Sequence, residues 1–218
     1  DLSLKTKKGN TGYDLWPEKL HFRTVCKLGD LKILQKLLTF QNINFNETDE
    51  HGQTGFFYAC YKGHFQAVKL LIQNSKSLNL DLNKANVNGL TGFHSACNNK
   101  HEEIVDYIIN NAEEFDIDLS LADQYGQTGF YLACWKGQFQ AVKLLIQNSK
   151  SLNLDLNKAN TLGLTGFHIA CLEQKKEIVD LIINNAEQFD IDLSLKNKNA
   201  RTGYDLWPEK FAFRSIID

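Results

Sequence analysis

Methionine is absent from the 218 residues, and the chain opens on Asp1, so it reads as a trimmed segment with any original targeting signal out of view. No apolar run approaches the roughly 18 residues needed to cross a bilayer, which speaks against a membrane span. An excess of either charge is missing too. Lys and Arg number 24 against 26 Asp and Glu, a formal net charge of -2, so nothing asks for nucleic acid or an acidic membrane surface as partner. The short clusters Lys7-Lys8 and Lys175-Lys176 read as solvated surface. There is no Cys-x-x-Cys pair, and no two His or Cys residues stand at a metal-ligand spacing. A phosphate-cradling loop is also lacking, because "NGLTG" and "YGQTG" are single-glycine turns.

What the chain does have is cysteine, in a telling arrangement. Cys60, Cys97, Cys134 and Cys171 follow one another at intervals of 37, with Cys26 apart near the start. If each belongs to one copy of a stacked unit, neighbours lie about 8–10 Å apart, the distance between packed helices. A disulfide needs its Cα atoms within about 7 Å. Apolar contexts such as "YACY" and "SACN" mark them as small buried hydrophobes in a reduced, cytoplasmic setting. That setting argues against use of the glycosylation sequon "NET" at Asn46.

The same interval governs the whole sequence. Thr-Gly pairs recur at Thr54, Thr91, Thr128, Thr165 and Thr202, a period of 37, with an earlier pair at Thr11. Self-similarity at a fixed period of 20–50 residues is the mark of a solenoid. Within a unit, "TGFHSAC" offers a threonine N-cap and apolar residues at Phe93, Ala96 and Cys97, one face of a short helix. A turn follows, then a longer helix in which Ile104, Val105, Ile108, Ile109, Ala112 and Phe115 keep helical spacing. After it, "FDIDLSL" and "LNLDLNK" alternate apolar with polar and predict an extended segment. Gly52, Gly89, Gly126 and Gly163 supply a tight turn before the next threonine.

This pattern resembles the ankyrin repeat, whose first helix opens with Thr-Pro-Leu-His-x-Ala. In "TGFHSAC" and "TGFHIAC" the motif positions are Thr91, His94, Ala96 and Thr165, His168, Ala170, and "KGHFQAVKLLI" is similar to the second half of the motif. The resemblance implies an all-α solenoid of stacked helix-turn-helix repeats with β-turn fingers. Two features depart from it. Glycine always replaces the proline, which weakens the helix start. The repeat is also longer than the usual ~33 residues, and the continued apolar spacing places the extra four as one more turn of the second helix.

Full repeats are expected at 54–90, 91–127, 128–164 and 165–201. An N-terminal cap is expected over 17–53, with helices near 18–27 and 31–40, and a C-terminal cap over 202–218, in which Pro208 begins the last helix. Residues 1–16 are a duplicated terminal segment, since "DLSLKTKKGNTGYDLWPEK" recurs from Asp192 with 15 of 19 positions matched. A monomer is expected, with that segment held against its own cap.

Chemistry is hard to find. The resemblance gives His94 and His168 a structural role, bonding a neighbouring finger, while His21, His51, His64 and His101 look scattered. Glu102-Glu103 and Glu113-Glu114 are adjacent and diverge on a helix, so neither forms a facing acid/base pair. No catalytic, cofactor-binding or metal-binding residues are assigned, and an enzyme is not expected.

The two 74-residue halves, 54–127 and 128–201, differ at 20 positions. Ten fall in first helices and the turns after them, eight in the fingers, and two, at 107 and 114, in second helices. In ankyrin folds the first helices and finger tips line a concave face, so the resemblance assigns partner contact to it. The residues are Tyr58, Tyr61, Lys62, Val87, Asn88, Asn98, Asn99, Gln124, Tyr125, Trp135, Lys136, Leu162, Leu172 and Glu173. Trp135 lies about 100° off the Phe130/Ala133/Cys134 core stripe, and its equivalents are Tyr61, Asn98 and Leu172, a range that a core position would not accept. The function expected is a non-catalytic module that binds a protein partner, itself unidentified. The alternative is a structural or engineered scaffold with no dedicated partner. Thiol titration should count five free cysteines in denaturant and far fewer fast-reacting ones in the folded chain. A denatured count of three or fewer without reductant would refute the assignment.

Overall fold

The computed structural model describes residues 21–40 and 42–207. Eleven helices follow in order: α1 Phe22–Leu28, α2 Leu31–Leu37, α3 Gly55–Lys62, α4 Phe65–Leu78, α5 Gly92–Asn98, α6 Glu102–Asn111, α7 Gly129–Lys136, α8 Phe139–Gln147, α9 Gly166–Leu172, α10 Lys176–Asn185 and α11 Gly203–Leu206. No strand occurs among the described residues beyond one isolated bridge, Ala122 with Thr128. The fold is an all-α repeat solenoid. Odd-numbered helices pack side by side in one row, and even-numbered helices form a second row behind them.

Each first helix from α3 onward starts at a threonine in extended conformation. Its hydroxyl accepts the N–H three residues on, as in Thr54 with Phe57 at 3.0 Å and Thr128 with Tyr131 at 3.2 Å. At the other end Gly63 and Gly137 close α3 and α7 with φ of 77° and 79°, the left-handed region that glycine enters without penalty. Behind them, Val68, Leu71 and Ile72 of α4 and Val142, Leu145 and Ile146 of α8 are buried at helical spacing, so each second helix closes the core against its own first helix.

The glycine that replaces the family proline has a packing reason. A Cβ at Gly55 would lie 2.5 Å from the ring of Phe22, and one at Gly92 would lie 2.6 Å from Phe56. Gly129, Gly166 and Gly203 meet Phe93, Phe130 and Phe167 in the same way. Each phenylalanine therefore lies on the bare backbone at the start of the next first helix, and at Gly55, Gly92 and Gly166 the sulfur of Cys26, Cys60 or Cys134 lies beside it. The expected weakening of the helix start is the cost of this close approach. The cysteines themselves are free and buried, and burial pushes every thiol up, Cys171 to about 12.

Two local expectations need correcting. The extra turn is regular helix only in α4; the counterpart residues after Gln147 and Asn111 run on as turns. A residue in the left-handed region ends each one: Asn79, Asp116, Asn153 and Asp190, at φ between 49° and 55°. Secondly, the stretches predicted to be extended form no strand. They fold on Asx turns in which Asp81, Asp118, Asp155 and Asp192 accept the N–H two residues on. Their alternation still sorts side chains, because Leu80, Leu82, Ile117, Leu119, Leu156 and Ile191 are buried. In the N-terminal unit the first helix runs one residue past its expected end, to Leu28, and the second stops earlier than expected, at Leu37. Residues 1–16 and the helix expected from Pro208 lie outside the described residues.

Alanine at an exposed helical glycine normally gains up to about 1 kcal/mol of propensity. Gly129→Ala should instead cost about 1–3 kcal/mol, because the methyl must displace the Phe93 ring. Adding Phe93→Leu should recover part of that loss, and denaturant melts giving strictly additive effects for the pair would count against the interlock.

Candidate protein-binding face

Each finger is built on one acidic or amide side chain. Asp49, Asn86, Asp123, Asn160 and Asn197 accept N–H groups two and four residues on, at 2.8–3.2 Å. Successive tips are then tied by backbone bonds at the repeat interval. Val87, Gln124, Thr161 and Lys198 donate to the carbonyls of His51, Asn88, Tyr125 and Leu162, at 2.8–3.2 Å. This ladder consumes the backbone groups of the tips and leaves their side chains outside. Val87 is 66% exposed, Tyr125 55% and Leu162 60%.

The first helices present a second row at the same interval. Tyr61 is 43% exposed and Leu172 46%, and Asn98, Asn99 and Glu173 are exposed between and beyond them. Tyr61 stacks on the buried Phe57, with centroids 6.4 Å apart and planes at 9°. The Lys62 ammonium lies 5.1 Å above the Tyr61 ring, and that of Lys136 only 3.8 Å above Trp135. The two rows meet where Tyr58 donates to Asp49 at 2.6 Å. That bond pushes the phenol up to about 12, and the same bond with those from Gln53 and His51 holds Asp49 low despite desolvation.

Among the described residues no group of three or more His, Cys, Asp or Glu could hold a metal ion, and no helix is long and apolar enough to cross a membrane. A family model for ankyrin repeats in three copies matches residues 22–118 and 77–158, more than half of the chain. The chain belongs to the ankyrin-repeat family. No curated protein matches the sequence. A chain in a solved structure of a predatory endopeptidase from Bdellovibrio bacteriovorus in complex with an immunity protein is similar, at 27% identity and a TM-score of 0.67. The match covers 87% of this chain and 91% of that one.

Within this ankyrin array the sequence-assigned contact residues separate. Tyr61, Lys62, Val87, Asn88, Asn98, Asn99, Gln124, Tyr125, Leu162, Leu172 and Glu173 are exposed. Tyr58 is not free for a partner: it is half-buried, bonded to Asp49 and covered by Lys27 at 4.9 Å. Trp135 and Lys136 are also half-buried, and the indole packs against the core, so it is less open than its helical offset implied. Several positions that differ between the halves lie inside the array, among them Phe57, Ser95, Tyr131, Leu132, Ile169 and Gln138. Leu28, beside the turn glycine Gly29, and Phe139, at the start of α8, are also exposed, at 60% and 40%, and lie outside the assigned set.

The histidines fall into two working pairs. His94 and His168 close the caps of α5 and α9, their Nδ1 accepting from the N–H of Thr91 at 3.2 Å and of Thr165 at 3.3 Å. His168 Nε2 reaches the Arg201 carbonyl at 3.1 Å, the neighbouring-finger bond expected of it. His64 and His101, far from scattered, make one repeated contact, Nε2 to the carbonyls of Lys27 at 3.1 Å and Tyr61 at 3.0 Å.

Burial lowers His94 and His168 below the usual imidazole value, only partly opposed by the Asp123 carboxylate at His94 and by nearby carbonyls at both. The unfolded chain, titrating near 6.5, therefore binds protons that the folded chain refuses. Stability is fully present above about pH 6.5 and falls as pH drops below it. Denaturant midpoints should be lower at pH 5.5 than at 7.5. The gap should shrink in His94→Phe/His168→Phe, which copies Phe57; an unchanged gap would place its origin elsewhere.

Proposed function

We propose that this chain is a non-catalytic binding module that holds a protein partner on the concave face made by its first helices and finger tips. The observation that carries this reading is the pair of exposed rows, each repeating at 37 residues, that present Tyr61, Leu172, Tyr125 and Leu162 beside finger tips tied to one another through their backbone N–H groups. Exposed aromatic and large apolar side chains at regular intervals are the chemistry from which interface anchors are drawn. Ankyrin repeats are generally non-catalytic protein-interaction modules, and the similar solved chain comes from a complex of two proteins, which supports the same use here. Five buried free thiols fit work in a reducing compartment, and the chain acts as a monomer.

The test is capture by the immobilised chain, followed by affinity measurement with the identified, purified partner. Tyr61→Ala and Leu172→Ala together should weaken binding by about 2 kcal/mol or more while moving stability by under about 1.5 kcal/mol. Binding unaffected by that pair but abolished by substitutions on the second helices would move the site to the opposite face. Absence of any specific capture would favour a purely structural scaffold.

A further inference from the structure

Neighbouring repeats are joined on two flanks by side chains that recur in register. On the finger side, the Asn46 amide donates to the Asn79 carbonyl at 2.7 Å and its oxygen accepts the Asp81 N–H at 2.7 Å. Asn83 clamps Asp116 and Asp118 in the same way, and Asn157 clamps Asp190 and Asp192, all at 2.7–2.8 Å. On the other flank, His64 and His101 reach back to the first helix of the unit before. Asn46 and His64 thus join the N-terminal unit to the repeat at 54–90, while Asn83 and His101 join that repeat to the one at 91–127.

At the next joint, between Gln127 and Thr128, both devices are missing. Position 120 is serine, which folds back on its own turn and donates to Asp118 at 2.6 Å, so the Asp155 N–H meets no amide clamp. Position 138 is glutamine, 1% exposed, and neither amide atom has a hydrogen-bond partner in the protein. What remains is the packing of the two helix rows, with Phe93 on Gly129 and α6 lying against α8 more closely than any other neighbouring second helices, together with the finger bond from Thr161 to Tyr125 at 2.8 Å and one bond from Lys158 to Ser120 at 3.1 Å. The joint also coincides with the boundary between the two 74-residue halves.

We propose that the Gln127–Thr128 joint is a built-in hinge, at which the finger side opens while the two halves of the array pivot on their packed helix rows. A partner lying across the binding face would then meet two rigid halves whose relative angle adjusts, and no other feature of the proposed function is needed for this.

The duplication supplies an internal control. Residues 76–84 and 150–158 have the same sequence, "KSLNLDLNK", and hence the same intrinsic amide exchange chemistry. The copies differ in backbone only at their start, where α4 runs to Leu78 and 150–152 are turn, and beyond that in the residue facing the Asp81 and Asp155 amides, Asn46 in one case and Ser120 in the other. Native-state hydrogen exchange followed by NMR resolves the two copies and reads local opening directly. In the full chain, the Leu154 and Asn157 amides, bonded within their own turn just as Leu80 and Asn83 are, should exchange at least tenfold faster than those two. Ser120→Asn with Gln138→His, which copies the clamped joints, should bring the two within about threefold. Ser120→Asn alone serves as a second variant and should close part of the gap. Equal exchange of the two copies in the unsubstituted chain would overturn the hinge, as would an unchanged gap in a folded clamped variant.

Discussion

The contact on which the array depends is a phenylalanine ring lying on a bare glycine at the start of the next first helix. It sets how closely the first-helix row can pack, because no side chain separates ring from backbone. Its consequences spread outward. The helix must begin without a Cβ, so the threonine cap carries more of the burden of fixing its start. The residue next to the ring must be small and apolar, which a buried free cysteine satisfies. Since the same pair recurs from Phe22–Gly55 to Phe167–Gly203, each joint inherits one separation, and the finger tips behind it fall into register for their backbone ladder.

Polar groups then distinguish joints that the apolar core makes alike. Half-exposed amides and imidazoles on the flanks reach partners in the neighbouring repeat across some joints and not others. Asn83 spends both amide atoms on Asp116 and Asp118; Ser120, at the same position one repeat later, cannot span the gap. A chain built from nearly identical units therefore has joints of unequal strength, set by a handful of side chains of different length. The proposed binding face obeys a similar division. The N–H groups of its finger tips are committed to turns and inter-finger bonds, so recognition there would fall mainly to side chains, which are free to vary without disturbing the scaffold.

Much of this was legible before any coordinates. The period of 37, the threonine caps, the buried cysteines and the apolar faces of the second helices follow from spacing and residue type, because a helical stripe and an N-cap are local properties of the chain. The exposed finger tips Val87, Tyr125 and Leu162 were legible as well, since turns lie at the surface. Tertiary structure decided the rest. A glycine in place of proline looks like a loss until Phe56 is seen against Gly92. Tyr58 and Trp135 look alike as aromatic residues just off the core stripe, yet one is bonded to Asp49 and both are half-buried. His64 and His101 seem unrelated until their carbonyl partners, 37 and 40 residues back, come into view. In each case the deciding contact joins different repeats, and a contact between repeats depends on how closely they stack, which no single unit's sequence states.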